Sequence, residues 1–148
     1  MVNPFDLRTV LLAKHAQHVV LVHFPIALFI TGVAFDLLSG GERASQMGGA
    51  AYLNFSAAAV FVIPVIASGL LAWHFVLDGQ QLKGLLLWHF LAACLAATVI
   101  VITWCVHWRT RRLGRADLPR YRTALELAGV ALIVLTAHLG GFLSGINS

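Results

Sequence analysis

The sequence predicts an all-α fold, an integral membrane antiparallel four-helix bundle with a short N-terminal interfacial helix. The first observation is composition: 59% of the 148 residues are hydrophobic, only 11% are charged, and the mean hydropathy is +0.86. A soluble domain of this size has too large a surface for its volume to bury so much apolar area. The second observation is that four apolar stretches can each cross a hydrocarbon core, which takes about 20 helical residues. Residues 1–148 are therefore expected to form a single membrane domain.

The expected elements follow one another along the chain with short connections. Residues 5–18 place Leu7, Val10 and Leu11 on one side, which predicts an amphipathic helix lying at the membrane interface. After it, the apolar stretches and the polar residues between them predict four spanning helices. Their approximate ranges are 19–39, 50–77, 84–107 and 123–144.

Basic residues predict the orientation of the bundle. Together with Arg43, the connection between the third and fourth helices gives seven basic residues on one side, against Arg8, Lys14 and Lys83 on the other. The positive-inside rule then makes the arginine-rich side cytoplasmic and both termini periplasmic. Short basic loops of this kind serve topology and contact lipid headgroups, so no nucleic acid is expected as a partner. The arginines of this connection are Arg109, Arg111, Arg112, Arg115, Arg120 and Arg122.

Aromatic and acidic residues agree with the predicted orientation in the membrane. Tryptophan is enriched at both membrane–water interfaces. Asp36 and Glu126 fall at the cytoplasmic ends of their helices, where we expect them to pair with the arginines. The tryptophans assigned to the outer interface are Trp73 and Trp88, and those assigned to the inner interface are Trp104 and Trp108.

Four histidines lie inside the spans, one in each. His23 and His89 come early in helices that run inward, whereas His74 and His138 come late in helices that run outward. All four therefore fall in the outer part of the bundle. Because an ionisable residue is costly in a membrane and usually functional there, their common depth predicts a shared ligand.

Haem is the ligand that this pattern favours. Low-spin haem iron takes two axial imidazoles from facing helices, and bundle cores recurrently hold such cofactors. Small residues beside the histidines would admit the edge of a flat macrocycle. We therefore expect one or two haem b groups with His23, His74, His89 and His138 as axial ligands, His89 and His138 first among them. The small neighbours are Ala67, Ser68, Gly69, Ala92, Ala93, Ala96, Ala97, Gly140 and Gly141.

Other interpretations of the histidines stay open. Zinc and copper also accept imidazole ligands, and a set of membrane histidines can serve hydrogen bonding or a proton relay. A catalytic zinc usually brings a carboxylate base, but Asp36 and Glu126 are predicted at the opposite end. His107 is expected at the cytoplasmic interface, and His15 and His18 are expected at the surface, where they could contact a haem propionate or a partner.

Two motifs carry a family resemblance. Residues 18–38, HVVLVHFPIALFITGVAFDLL, and residues 136–145, TAHLGGFLSG, resemble a prokaryotic family of small four-helix membrane proteins of unknown function. That family is marked by VHFPIAL in helix one and HxGG in helix four. Some members are fused to Rieske iron–sulfur or cytochrome c-type domains, which implies redox work at the outer face. The resemblance puts His23, His89 and His138 at family histidine positions.

The expected function is electron transfer. The chain would be a membrane-anchored b-type haem protein of the bacterial cytoplasmic membrane, relaying electrons at the periplasmic side as a subunit or partner of a redox complex. No residue is assigned to making or breaking substrate bonds, so an electron-transfer subunit is favoured over a stand-alone enzyme. The expected partners are the lipid bilayer and quinol, cytochrome c, a Rieske-type protein or a larger dehydrogenase, and self-association is also considered. The rival is a non-redox small transporter or assembly subunit whose histidines bind metal ions or protons.

Overall fold

The computed structural model describes residues 14–41, 44–75, 77–114 and 118–144, which form four α-helices and no strand. Each helix is long and apolar enough to cross a membrane, which confirms the all-α membrane helical bundle. Most of the predicted interfacial helix, residues 5–13, lies outside the described residues. The helices are α1 (Lys14–Leu37), α2 (Ala44–Phe75), α3 (Gly84–Arg112) and α4 (Arg122–Leu143).

Three helix ends extend beyond the apolar stretches that predicted them. α1 begins at Lys14 rather than near residue 19, so residues 14–18 are its first turns and not part of a separate helix. α2 begins six residues earlier than predicted, at Ala44, and α3 continues five residues further, to Arg112. Hydropathy marks the hydrocarbon layer, whereas a helix continues into the interface. Arginines in the last turn of α3 suit the negative end of the helix dipole.

The bundle is antiparallel and closes into a ring. α1 packs most extensively on α2, and α3 on α4, while α2–α3 and α4–α1 contacts are fewer. The diagonal pairs are therefore α1–α3 and α2–α4. We call the end formed by Leu37, Ala44, Arg112 and Arg122 the arginine end, and the end formed by Lys14, Phe75, Gly84 and Leu143 the histidine end.

Glycines set how closely the helices approach in the middle of the bundle. A Cβ on Gly32 of α1 would lie 2.8 Å from Cε1 of Phe55 in α2. A Cβ on Gly129 of α4 would lie 2.7 Å from two ring carbons of Phe29 in α1. Both phenylalanines are fully buried, so each ring occupies the space that a glycine leaves.

The tightly packed part of the bundle lies toward the arginine end. Its hydrophobic core is built around Phe29, Phe55, Ile100 and Ile133. Toward the histidine end, no described residue of α1 before Pro25 and none of α4 after Ile133 is buried. On α1 and α4, burial is therefore confined to the part toward the arginine end, whereas α2 and α3 also bury Ser68, Ala72 and Ala92 toward the histidine end.

Candidate functional site

Each of the four predicted ligands lies toward the histidine end of its helix. His23 and His89 lie in the first half of α1 and α3, and His74 and His138 lie in the last part of α2 and α4. His23, His74 and His138 are exposed, and His89 is half-buried. The histidines thus share one end of the bundle, and most of them lie on its surface rather than in its core.

His89 is held between α3 and α4. Its Nδ1–H donates a hydrogen bond to the Thr136 carbonyl of α4 at 3.1 Å. Its Cε1 lies 3.1 Å from the position that a Cβ on Gly140 would take, so a side chain there would displace the ring by a few tenths of an ångström. The hydrogen bond and the close contact with Gly140 together set the position of the ring between the two helices.

His23 has the same kind of hydrogen bond within its own helix. Its Nδ1–H donates to the Val19 carbonyl at 2.6 Å. In a neutral imidazole only one nitrogen carries a proton, so this bond leaves Nε2 with its lone pair. Histidines that bind metals through Nε2 commonly donate their other N–H to a carbonyl in this way. His23 and His89 are therefore both in the tautomer that suits metal ligation.

His74 and His138 contact aromatic rings near the same end of the bundle. The ring of His74 meets Phe75 edge to face at 4.7 Å between centroids, and the ring of His138 meets Phe142 at 4.9 Å in the same manner. Both contacts are between residues of one helix. These contacts hold each imidazole ring against its own helix, α2 or α4, and both rings stay exposed outside the core.

The small residues near these histidines are used for helix packing. Ala92 and Ala96, which follow His89 on the same face of α3, are buried. On α2, a Cβ on Gly69 would lie 3.0 Å from Cε1 of His18. The space that these residues provide is therefore filled by neighbouring helices and by the ring of His18.

The expectation that His18 lies at the surface was wrong. The ring is half-buried, and its Nδ1–H donates to Oγ of Ser68 at 3.0 Å. Ser68 in turn donates its own hydroxyl proton to the Val65 carbonyl at 3.0 Å. The cause is that α1 already begins at Lys14, so His18 faces α2 where Ser68 and Gly69 make room. The side chain of His15 lies outside the described residues.

The interfacial placement of His107 was also wrong. The residue is only 2% exposed, and its Nε2 lies 2.9 Å from Oε1 of Glu126 in α4. The ring of Phe55 packs against it with centroids 4.7 Å apart. Because α3 extends to Arg112, His107 lies more than a turn inside the end of the helix, on its buried face.

His107 belongs to a buried polar cluster at the arginine end, formed with Asp36, Glu126 and Arg122. Nε of Arg122 donates to Oδ2 of Asp36 at 2.7 Å, and both carboxylates are almost fully buried, at 2% and 0% exposure. The expected pairing of the acids with arginines is thus confirmed for Asp36. Glu126 pairs with a histidine instead.

Sequence reasoning had the means to find this polar cluster. α1, α3 and α4 each carry one buried ionisable residue near the arginine end, namely Asp36, His107 and Glu126. Their common depth is a signal of the same kind as the common depth of the four histidines. Asp36 and Glu126 were used only to fix topology, and His107 was assigned to the interface, so they were not considered together.

Two shallow grooves also lie at the arginine end. One, of about 380 Å³, is lined by Tyr52, Trp108, Arg111 and Arg112. The other, of about 410 Å³, lies between the last turns of α3 and the connection to α4, with Thr110 and Tyr121 among its lining residues. Neither groove touches the four predicted ligands.

Comparison with known proteins identifies the family but no characterised relative. No significant match to the chain exists among curated proteins or among solved structures. Residues 14–145, which include all four helices, match a family described as "Predicted membrane protein (DUF2231)". The four membrane-length helices agree with that description, and the chain belongs to this family of predicted membrane proteins.

Proposed function

We propose that this protein binds haem b at the histidine end and relays electrons there. The observation that carries the proposal is that four histidines, one from each helix, lie at the same end of the bundle, three of them exposed. An ionisable side chain inside a membrane span is costly and is ordinarily kept for a function. The arginine end, by contrast, is closed by packed side chains and has no comparable set of exposed imidazoles among the described residues.

The donor set fits haem iron. His23 and His89 donate Nδ1–H to backbone carbonyls, which orients each ring and leaves Nε2 as a metal ligand. His74 and His138 add two exposed imidazoles at the same end. Since Ala92, Ala96 and Gly69 are occupied by helix packing and by the ring of His18, haem would be held at the surface of this end rather than in an enclosed core. When bound, haem would supply a site that accepts and donates one electron.

The location of the ligands favours particular partners. Exposed imidazoles at one end of the bundle would hold the cofactor close to that membrane surface. Electrons would then be exchanged on that side with quinol, a cytochrome c, a Rieske-type protein or a larger dehydrogenase. The arginine bias favours the periplasmic side of a bacterial cytoplasmic membrane. With all four candidate ligands at one end, this chain alone would not carry electrons across the bilayer.

The same exposed rings also favour a second function. His23, His74 and His138 are accessible at the surface of the bundle, as residues that take up metal ions or protons would be. A small transporter or an assembly subunit would use them in that way. This alternative predicts imidazoles that bind zinc or copper in protein that carries no haem.

Absorption spectroscopy of the purified protein separates the two functions. The protein should be expressed with haem precursors, purified in detergent, and analysed for a Soret band and for extractable haem per chain. We expect a low-spin haem b spectrum. Because His89 is the ligand that two helices orient, His89→Ala should lose at least one low-spin signal.

A matched control is Cys94→Ala, which removes an exposed sulfur from the same helix. We expect its spectrum to equal that of the wild type, because the thiol is not a proposed ligand. Wild-type protein without a Soret band, or a His89→Ala variant with an unchanged spectrum, would contradict the haem proposal. Zinc or copper bound in the absence of haem would support the second function.

A further inference from the structure

Toward the arginine end, three buried oxygen atoms, two of them in the buried polar cluster, have no hydrogen-bond partner among the described residues. They are Oδ1 of Asp36, Oε2 of Glu126 and Oγ1 of Thr103. Their residues are 2%, 0% and 1% exposed. A buried carboxylate oxygen without a partner is costly, and native structures ordinarily satisfy such atoms with protein, water or an ion. The protein side chains alone therefore do not supply all the partners that the oxygen atoms of the cluster need.

The chemistry of the missing partner follows from the charges. When Asp36 and Glu126 are both ionised, their two negative charges exceed the single positive charge of Arg122. The unpartnered carboxylate oxygens can accept from a donor or bind a cation. A cation would also balance the charge that Arg122 leaves uncompensated.

The geometry brings three ligand atoms together. Asp36, His107 and Glu126 each offer one nitrogen or oxygen atom such that the three atoms lie within 4.8 Å of one another. They come from α1, α3 and α4, so the positions are fixed by the packing of three helices. One imidazole and two carboxylates form a donor set that suits first-row divalent metals such as zinc, iron and manganese.

The remaining contacts resemble the outer shell of a metal site. Arg122 donates to Oδ2 of Asp36 at 2.7 Å, which orients that carboxylate while its other oxygen stays available. Ligating carboxylates are commonly held in this manner by a second residue. Nε2 of His107 and Oε1 of Glu126 lie 2.9 Å apart. A metal ion would replace the proton that these two atoms share.

We propose that Asp36, His107 and Glu126 form a binding site for a first-row divalent metal ion at the arginine end. The site is separate from the histidine end and does not depend on haem. The ion joins α1, α3 and α4 at the point where the two helix hairpins meet. Thr103, one turn before His107 on α3, lies on the same face of that helix and is also buried.

Cobalt is a suitable probe, because elemental analysis and X-ray absorption at the cobalt edge are unaffected by haem. The full-length protein in detergent should be treated with a chelator, loaded with Co²⁺ and separated from free ion. We expect one Co²⁺ per chain in the wild type and an imidazole signature in the absorption spectrum. Glu126→Gln and Asp36→Asn should bind Co²⁺ at least about tenfold more weakly, because each removes a charged ligand.

The matched control is Asp78→Asn, which removes an exposed carboxylate in the connection between α2 and α3. Asp78 has φ of 49°, a conformation that asparagine tolerates. This variant should bind Co²⁺ as the wild type does. If Glu126→Gln does not fold, His107→Gln takes its place and should also lose the imidazole signature.

Two results would overturn the metal site. One is wild-type protein that retains no stoichiometric Co²⁺, which would mean that water or a proton satisfies the cluster. The other is unchanged Co²⁺ binding in the folded Glu126→Gln or His107→Gln variant. Haem content of the same samples is measured separately, so failure of this site and failure of the haem proposal are distinguished.

Discussion

Gly129 of α4 packs directly against the ring of Phe29 in α1. A Cβ there would lie 2.7 Å from Cε1 and Cζ of Phe29, and that ring is fully buried and cannot move outward. We expect Gly129→Ala to lower the free energy of unfolding by about 1–3 kcal/mol, as overpacking of a core does. Unfolding in mixed detergent micelles measures this change.

Gly48→Ala is the control for that substitution, since nothing lies within 4 Å of a Cβ at Gly48 in α2. Alanine is the better helix former, so this variant should equal or exceed the wild type by up to about 1 kcal/mol. Equal stability of Gly129→Ala and Gly48→Ala would mean that α4 and α1 do not approach as closely as described.

Gly140 offers a test of how His89 is oriented. A Cβ at Gly140 would lie 3.1 Å from Cε1 of His89, so the ring must move by a few tenths of an ångström. If His89 is an axial ligand, Gly140→Ala should shift the electron paramagnetic resonance signal of the low-spin haem while haem content stays the same. Gly48→Ala again serves as the control, with no shift expected. A Gly140→Ala spectrum identical to the wild type would argue against His89 as the ligand.

Individual histidines show what the sequence can and cannot reveal. The position of a histidine along its span gives its depth, so the common end of His23, His74, His89 and His138 was accessible from the sequence. Whether a ring faces a neighbouring helix depends on the rotation of each helix. His18 and His107 were therefore misplaced, because nothing local in the sequence indicates that Ser68 or Glu126 lies opposite them.

At the level of helices, polar contacts tie the arginine end together across the ring. Arg122, at the start of α4, reaches Asp36 near the end of α1. Arg111, in the last turn of α3, donates to the Gly48 carbonyl of α2 at 2.8 Å, and its guanidinium lies 4.5 Å from the ring centroid of Tyr52. Some of the arginines that predict topology therefore also connect helices.

Arg122→Gln should destabilise the α4–α1 contact. The substitution leaves the fully buried carboxylate of Asp36 without its cation, whereas the side chain of Arg122 itself is 24% exposed. Breaking a buried pair costs about 3–5 kcal/mol, and partial solvation of the arginine reduces this to about 2–3 kcal/mol. Thermal unfolding in detergent provides the measurement.

Arg120→Gln is the matched control, because Arg120 is exposed in the turn before α4. It should change stability by less than about 0.5 kcal/mol, as surface substitutions do. If the two variants unfolded alike, the Arg122–Asp36 contact would have no measurable role in stability.

The four helices could be predicted from hydropathy, because a bilayer demands about 20 apolar residues per span. The positions of the helix ends could not be predicted in this way, since the polar residues that begin α2 and end α3 are compatible with either a helix or a loop at the interface. The short connections predict that helices adjacent in sequence pack side by side. The contact between α4 and α1, which closes the ring, agrees with that arrangement.

For the whole molecule, the orientation in the membrane is the prediction with the widest consequences. Gln81 lies exposed in the connection at the histidine end, and Leu113, 53% exposed, lies just beyond α3 at the arginine end. In a background in which Cys94 and Cys105 are replaced by alanine, an impermeant thiol reagent should label Gln81→Cys in intact cells. It should label Leu113→Cys only after the membrane is opened.

The cysteine-free background itself serves as the control and should take up no reagent. The reverse pattern, with Leu113→Cys labelled in intact cells, would invert the protein. The histidine end would then face the cytoplasm, and the periplasmic redox partners proposed above would be excluded.

The difference in packing between the two ends also has a mechanical consequence. Pro25 and Pro64 lie within α1 and α2, each about eleven residues from the histidine end of its helix. A proline inside a helix removes one backbone hydrogen bond and is a common place for bending. On α1, none of the described side chains before Pro25 is buried, whereas α2 still buries Ser68 and Ala72 beyond Pro64.

We expect the two halves to move on different timescales. Backbone amides of residues 19–23 should exchange with deuterium faster than those of residues 29–36 in the same helix, because few side chains are buried around them. Equal protection along α1 would contradict this. If the amides behave as expected, α1 and α2 bend relative to the more rigid arginine end, and the distance between His23 and His74 can change. A ligand bound to these histidines would then determine how far apart the helices stand at the histidine end.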